Sequence, residues 1–318
     1  MNLELDDIQH QLVAVTTEVC DTFAGKWHTS NADQGGSVKA LADIGILGVR
    51  HPEPQGSGLS AVEAVLSAFV CGAALAPTPL LVWADLLGSV TPGLLSGSTT
   101  ITGSFDQDRG ISYGGRTDQV VFVSSSGAYV LDSEAVTWAS VPHIDPTLPR
   151  AVVRGAIPTT GVAVAGADEI ECWRWQFAVL VAAHLVGVGV GALDAAVDYA
   201  KKRQQFGRPI GSFQAIKHML ADTYTNLEMS RSQVLTAALC WSERNPAAPD
   251  QAIAAAVVAA RGAIQAAQTA IQVHGGMGFT TEAVPHLYYK RALQLQDDLL
   301  GAGAHAAQLL HRDLTVHG

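Results

Sequence analysis

The feature that most restricts the fold of this chain is its second half. From about residue 173, apolar residues recur at helical spacing through four long runs, at 176–202, 213–245, 251–274 and about 283–312. The connections are short. The tightest, Asn245-Pro-Ala-Ala-Pro-Asp250, makes Asp250 the expected N-cap of the third run. Four long helices joined by short loops imply an antiparallel bundle, because each must bury its apolar stripe against its neighbours.

The first half reads differently. Leu5, Ile8, Leu12, Val15 and Val19 recur at helical spacing, and a second run covers 38–47. After a turn-rich stretch at 52–58, an apolar helix is expected over 61–76, ended by Pro77 and Pro79. Between 96 and 170, short segments at 99–105, 119–124, 128–132 and 151–154 are rich in Val, Ile, Thr and Tyr, with Gly, Ser, Asp and Pro between them. That is the pattern of a small antiparallel sheet. The expected fold is mainly α with a small β-domain. An N-terminal helical domain spans 1–95, a reduced central antiparallel β-domain 96–170, and a C-terminal four-helix bundle 171–318.

Charge and composition exclude several functions. A net charge of −10 argues against nucleic acid, since phosphate backbones select clustered Lys and Arg. The longest apolar stretch, 177–193, contains His184 and three glycines and falls short of the ~20 residues that cross a bilayer, so a buried helix and no membrane partner are expected. The acidic N-terminal residues do not resemble a secretory leader. Cys20, Cys71, Cys172 and Cys240 form no CxxC pair and read as reduced thiols, which points to a cytoplasmic chain with neither a disulfide framework nor a zinc site. The histidines form no metal-ligand spacing.

Gly187-Val-Gly189-Val-Gly-Ala192 matches a dinucleotide fingerprint only in letters. No strand precedes it, and no acidic residue follows at the ribose position. Small residues that let buried helices approach closely account for it.

The most informative stretch runs from Tyr199 to Ile216. It reads as a helix end, a glycine stop, a basic loop and a new helix start, with Arg203 at the helix C-terminus, where its charge suits the dipole. Its Arg203-Gln-Gln-Phe206-Gly207-Arg-Pro209-Ile210-Gly-Ser-Phe213-Gln214-Ala-Ile216 closely resembles the RxxFGxPIxxFQxI signature of acyl-CoA dehydrogenases, which pass the β-hydride of an acyl-CoA to FAD. Gln272-Val273-His274-Gly275-Gly276-Met-Gly278-Phe279 resembles the family's QxxGGxGF element. A weaker echo of the N-terminal LAxxGxxGxxxPE segment lies at 41–53.

The resemblance implies that Arg203, Phe206, Phe213, Gln214, Gln272, Val273, His274, Gly275 and Gly276 approach the ADP half of FAD held mainly by a neighbouring subunit. A guanidinium and exposed backbone N–H groups suit a pyrophosphate.

Other family features are missing. Counting from the double glycine, the position of the usual glutamate base falls on Leu299 or Leu300, before Gly301. The alternative base position falls near Phe177. Asp297 and Asp298 stand at the wrong spacing and read as exposed helix-end charges; Glu282 reads as a solvated loop carboxylate. No TExxxGSD counterpart lies between Leu80 and Gly115. Val136-Thr-Trp138-Ala-Ser140 does not match the tryptophan element that flanks the flavin ring.

This pattern resembles the short subunit of actinobacterial heteromeric acyl-CoA dehydrogenases, α2β2 assemblies that include steroid-degrading enzymes. The implied partner is a longer acyl-CoA dehydrogenase subunit sharing FAD, with an acyl-CoA substrate and an electron-transfer acceptor. The alternatives are a homomeric dehydrogenase with an unrecognised base, and a flavin-free helical scaffold.

Overall fold

The computed structural model describes residues 5–23, 25, 34–91, 93–106, 109–157 and 161–303. The chain opens with α1 (Asp7–Thr22), whose capping box is reciprocal: the Gln9 N–H donates to Asp6 Oδ1 at 2.8 Å and the Asp6 N–H to Gln9 Oε1 at 3.2 Å. Helix α2 (Gln34–Asp43) leads to a 3₁₀ turn at Ile46–Gly48, and α3 (Ala61–Ala73) starts on a second capping box between Ser60 and Glu63.

The expected helix over 61–76 forms as α3 but stops at Ala73, before Pro77, and after residues 74–77 a separate helix, α4 (Thr78–Leu87), begins with Pro79 in its first turn. A proline there costs nothing, because the first-turn N–H groups have no intrahelical partner. Pro79 therefore opens a helix instead of closing one.

Among the described residues seven strands follow: β1 (Ile101–Ser104), β2 (Ile111–Ser112), β3 (Gln119–Val123), β4 (Gly127–Asp132), β5 (Trp138–Val141), β6 (Arg150–Val153) and β7 (Val162–Gly166). They form a four-stranded sheet in the order β1-β3-β4-β7 and a three-stranded sheet in the order β2-β6-β5. The expectation of purely antiparallel pairing fails at one place. Strand β1 lies parallel to β3, Ile101 opposite Gln119, because the intervening chain crosses to the second sheet to supply β2.

Helix α5 (Ala167–Lys202) starts earlier than periodicity indicated, since Glu169, Glu171 and Arg174 interrupt the apolar pattern of its first turns. A short hairpin, β8 (Gln204–Gln205) and β9 (Arg208–Pro209), connects it to α6 (Gln214–Ser242). Helices α7 (Ala248–His274) and α8 (Pro285–Gly301) complete the bundle. Asp250 is not the N-cap of α7; it lies in the first turn, and Asn245 Oδ1 accepts the Ala247 N–H at 2.9 Å instead. The part of the fourth run beyond 303 lies outside the described residues.

Helix α5 is long and apolar enough to cross a membrane by length and composition, yet 89% of its most apolar window is buried within the protein. Its glycines explain the close fit. A Cβ on Gly187 would lie 2.1 Å from the Phe69 carbonyl oxygen of α3, and one on Gly191 2.5 Å from that of Ala73. On the opposite face, a Cβ on Gly189 would strike the Leu227 side chain of α6 at 2.4 Å. The GxGxxA letters are thus spent on helix packing, as the sequence reading held.

Candidate functional site

The two motif segments meet at one end of the bundle. Helix α5 ends at Lys202, with Lys201 and Lys202 opposing the negative end of its dipole, and Arg203 leaves the helix in an extended conformation. The β8–β9 hairpin then turns on Phe206 and Gly207, with φ of 53° and 76°. Two consecutive positive φ values define a type I′ turn, where Asn-Gly is the relaxed choice. A phenylalanine pays steric strain there, and its ring is 92% exposed.

The rest of the hairpin is braced from within. Arg208 lies over the Phe213 ring at 4.2 Å, and Phe206 meets Phe213 edge-on at 6.2 Å. Helix α6 starts after Phe213 with no side-chain cap, so its first N–H groups and the positive end of a 29-residue helix face outward.

The second segment arrives on α7. Tyr199 of α5 stacks on His274 at 4.1 Å between centroids. The imidazole Nδ1–H donates to the Ala270 carbonyl at 2.8 Å, since a carbonyl can only accept. Gly275 takes a positive φ of 61°, and a short 3₁₀ segment, Gly275–Phe279, follows. A Cβ on Gly275 or Gly276 would meet nothing within 4 Å, whereas one on Gly278 would strike the Ile271 carbonyl oxygen at 2.5 Å. Packing within the chain therefore accounts for Gly278 but not for Gly276, whose φ is not positive.

The Arg203 guanidinium makes no hydrogen bond or ion pair with any described residue, and the side chains of Gln214 and Gln272 are likewise unpaired and exposed. Val273 differs: its side chain is buried in the bundle, leaving only backbone for a ligand. The donor set fits a dinucleotide pyrophosphate, through a free cation, uncapped helix N–H groups and a glycine surface that admits close approach.

The region around Phe177 and Gly301 looks quite different. Phe177, near the alternative base position that the resemblance implies, and Gly301, which follows the Leu299 and Leu300 pair implied as the usual one, line one shared space together with Asp298, Arg150 and Trp83. That space has a volume of only about 20 Å³, room for a single water. Trp83, Phe105 and Phe177 fill it, their ring centroids 5.2–5.4 Å apart. Leu299 is buried, and Leu300 is exposed.

Asp297 and Asp298 are not the exposed helix-end charges that sequence suggested. Arg150 of β6 donates to both, at 2.6 Å to Asp297 and 2.7 Å to Asp298, and Arg109 also pairs with Asp297. Burial pushes the Asp298 carboxyl up to about 7; Arg150 opposes that shift and Asp297 adds to it. Glu282 is exposed, as expected. Trp138 donates its indole N–H to the Ser133 carbonyl at 3.0 Å and packs on the Gly114–Gly115 turn.

Sequence reasoning missed one buried charge cluster. Arg291 is 1% exposed and donates to Asp145 at 2.8 Å, to the Ala76 carbonyl at 2.7 Å and to Thr147 at 2.7 Å. The signal was present, for Arg291 falls at helical spacing with Tyr288, Leu295 and Leu299 on the apolar face of α8.

Comparison with known proteins agrees with this architecture. Residues 176–306 match the family model of the acyl-CoA dehydrogenase C-terminal domain. Acyl-CoA dehydrogenase IpdE2 of Mycolicibacterium smegmatis is 32% identical over 246 residues, covering 74% of each chain. The chain belongs to the acyl-CoA dehydrogenase family. FadE34 of Mycobacterium tuberculosis, also an acyl-CoA dehydrogenase, is 34% identical over 91% of this chain, which spans only 44% of that relative's length. A solved structure described as a variant of the Tcur3481-Tcur3483 steroid ACAD shares the fold, with a TM-score of 0.85 at 22% identity and 98% of both chains covered.

Proposed function

We propose that this chain is the flavin-completing subunit of a heteromeric FAD-dependent acyl-CoA dehydrogenase and does not supply the base. The observation that carries the reading is an asymmetry. Arg203 has no hydrogen-bond or ion-pair partner among the described residues and lies at the same end of the bundle as the open glycine surface, while the space around Phe177 and Gly301 has room for a single water. A residue that pays the cost of an exposed ring at positive φ, as Phe206 does, is explained when another surface covers it.

In this reading FAD, held mainly by a longer acyl-CoA dehydrogenase partner, supplies the hydride acceptor. Arg203 and the N–H groups opening α6 neutralise its pyrophosphate, and Gly275 and Gly276 let the adenosine half lie close to the backbone. The partner provides the carboxylate that removes the α-proton. The fold-sharing structure, described as a steroid ACAD, supports CoA thioesters of steroid-derived acids as the substrate class. A cytoplasmic location and a separate electron carrier are part of the reading and follow from the family resemblance alone.

The test is co-expression with a longer family member. The complex is expected to be yellow, with one flavin per heterodimer, and Arg203→Ala to weaken flavin retention at least tenfold while circular dichroism stays unchanged. A chain that is yellow and active alone supports the homomeric reading instead. Unchanged flavin content in the Arg203 variant supports a scaffold role.

A further inference from the structure

Helix α6 ends against the start of α5, at the far end of the bundle from the Arg203 hairpin. The junction leaves an open groove of about 710 Å³, within the ~300–1,000 Å³ of small-molecule pockets. Trp175 of α5 and Trp241 of α6 stand in it, with Leu59, Pro246 and Pro249 as an apolar wall. Trp175 precedes Phe177 by two residues, a rotation of about 200° around the helix. The groove and the closed space at Phe177 are therefore on opposite sides of α5.

The two indoles form a rigid corner. Their centroids are 5.5 Å apart, and their planes cross at 87°. Arg50 covers a face of Trp241 at 4.8 Å and is held there by Asp85, which accepts from its Nε at 2.6 Å. The Arg50 charge is thereby answered within the chain. Both indoles remain partly exposed.

Arg244 is a different kind of cation. It sits just past the C-cap of α6 with a φ of 54°. Its N–H donates to the Trp241 carbonyl at 3.1 Å and that of Asn245 to the Cys240 carbonyl at 2.8 Å, which is a Schellman turn. Glycine is the relaxed residue at that position. The helix dipole favours a cation at this end but does not require it on a left-handed residue. The Arg244 side chain lines the groove, is exposed, and makes no hydrogen bond or ion pair with a described residue. Among the described residues no Asp or Glu lines the groove, so one positive charge there is left without a counter-charge.

We propose that this groove binds a small molecule with a flat ring body and a single carboxylate. The ring lies in the indole corner, where face and edge contacts suit a planar or fused-ring system. The carboxylate meets Arg244 in a charge-assisted pair. A single uncompensated cation selects a monoanion over a polyphosphate.

Isothermal titration of the native full-length chain with 2-naphthoate tests this. The expected result is saturable binding at one site, with 2-naphthylmethylamine, the same ring carrying the opposite charge, weaker by about tenfold or more. Arg244→Gly relaxes the turn, so Tm is expected to hold or rise while naphthoate affinity falls about tenfold. Arg244→Lys keeps most of the affinity, and Trp175→Leu weakens both probes alike. Three results overturn the proposal: no saturable binding below about 5 mM, equal affinity for the acid and the amine, or unchanged naphthoate affinity in Arg244→Gly.

Discussion

The Tyr199 ring stacks on the His274 imidazole at 4.1 Å and 22°, joining the last turn of α5 to the last turn of α7. This contact brings Arg203, four residues past Tyr199, to the same end of the bundle as Gly275 and Gly276. An aromatic pair of this kind contributes about 0.5–1.5 kcal/mol beyond its area burial. Tyr199→Ala is expected to lower stability by about 1–2 kcal/mol. It should also weaken flavin retention in the complex, though less than Arg203→Ala does. Urea melts paired with flavin absorbance check both parts.

The glycines of the α7 terminus separate packing from ligand approach. Gly278→Ala drives a methyl into the Ile271 carbonyl and is expected to cost about 1–3 kcal/mol. Gly276→Ala meets open space and should leave stability within about 0.5 kcal/mol while reducing flavin retention several-fold. If both variants lose stability and neither loses flavin, the surface at Gly276 is not a ligand surface.

Arg291 ties α8 to the turn at 145–147 and to the α3–α4 junction. Arg291→Leu leaves the Asp145 carboxylate buried without its cation, and breaking such a pair costs about 3–5 kcal/mol. A second change, Asp145→Asn on the Leu background, should recover part of the loss. Failure of that rescue assigns the loss to packing alone.

Two buried groups should tilt the pH dependence in opposite directions. The Asp298 carboxyl, raised by burial to about 7, keeps in the folded state a proton that the unfolded chain releases near ~4. Its contribution to stability therefore falls as pH rises between those values. His184, brought down by burial to about 3 with Arg291 adding to the effect, refuses a proton that the unfolded chain binds below ~6.5. Its contribution rises with pH over that range. Asp298→Asn should make stability increase more steeply from pH ~4.5 to ~6.5, and His184→Gln should make it increase less or decline, each by about 1 kcal/mol or more. Urea midpoints at the two pH values read the difference, and equal slopes in both variants would refute it.

The sequence by itself determined the class of fold. Helical periodicity marks α5 to α7, and the glycines of 187–191 are legible as packing residues because no strand or ribose carboxylate accompanies them. The motif at 203–216 was legible for a similar reason. Its residues are consecutive, so their spacing survives without coordinates.

Only the tertiary structure decided which charges are paired. Asp298 resembles any helix-end carboxylate until Arg150, from a strand far away in sequence, is seen beside it. Arg291 needed Asp145, and Tyr199 needed His274. Periodicity reports which face of an element is apolar, but desolvation, ion pairing and ring stacking depend on what another element places against that face.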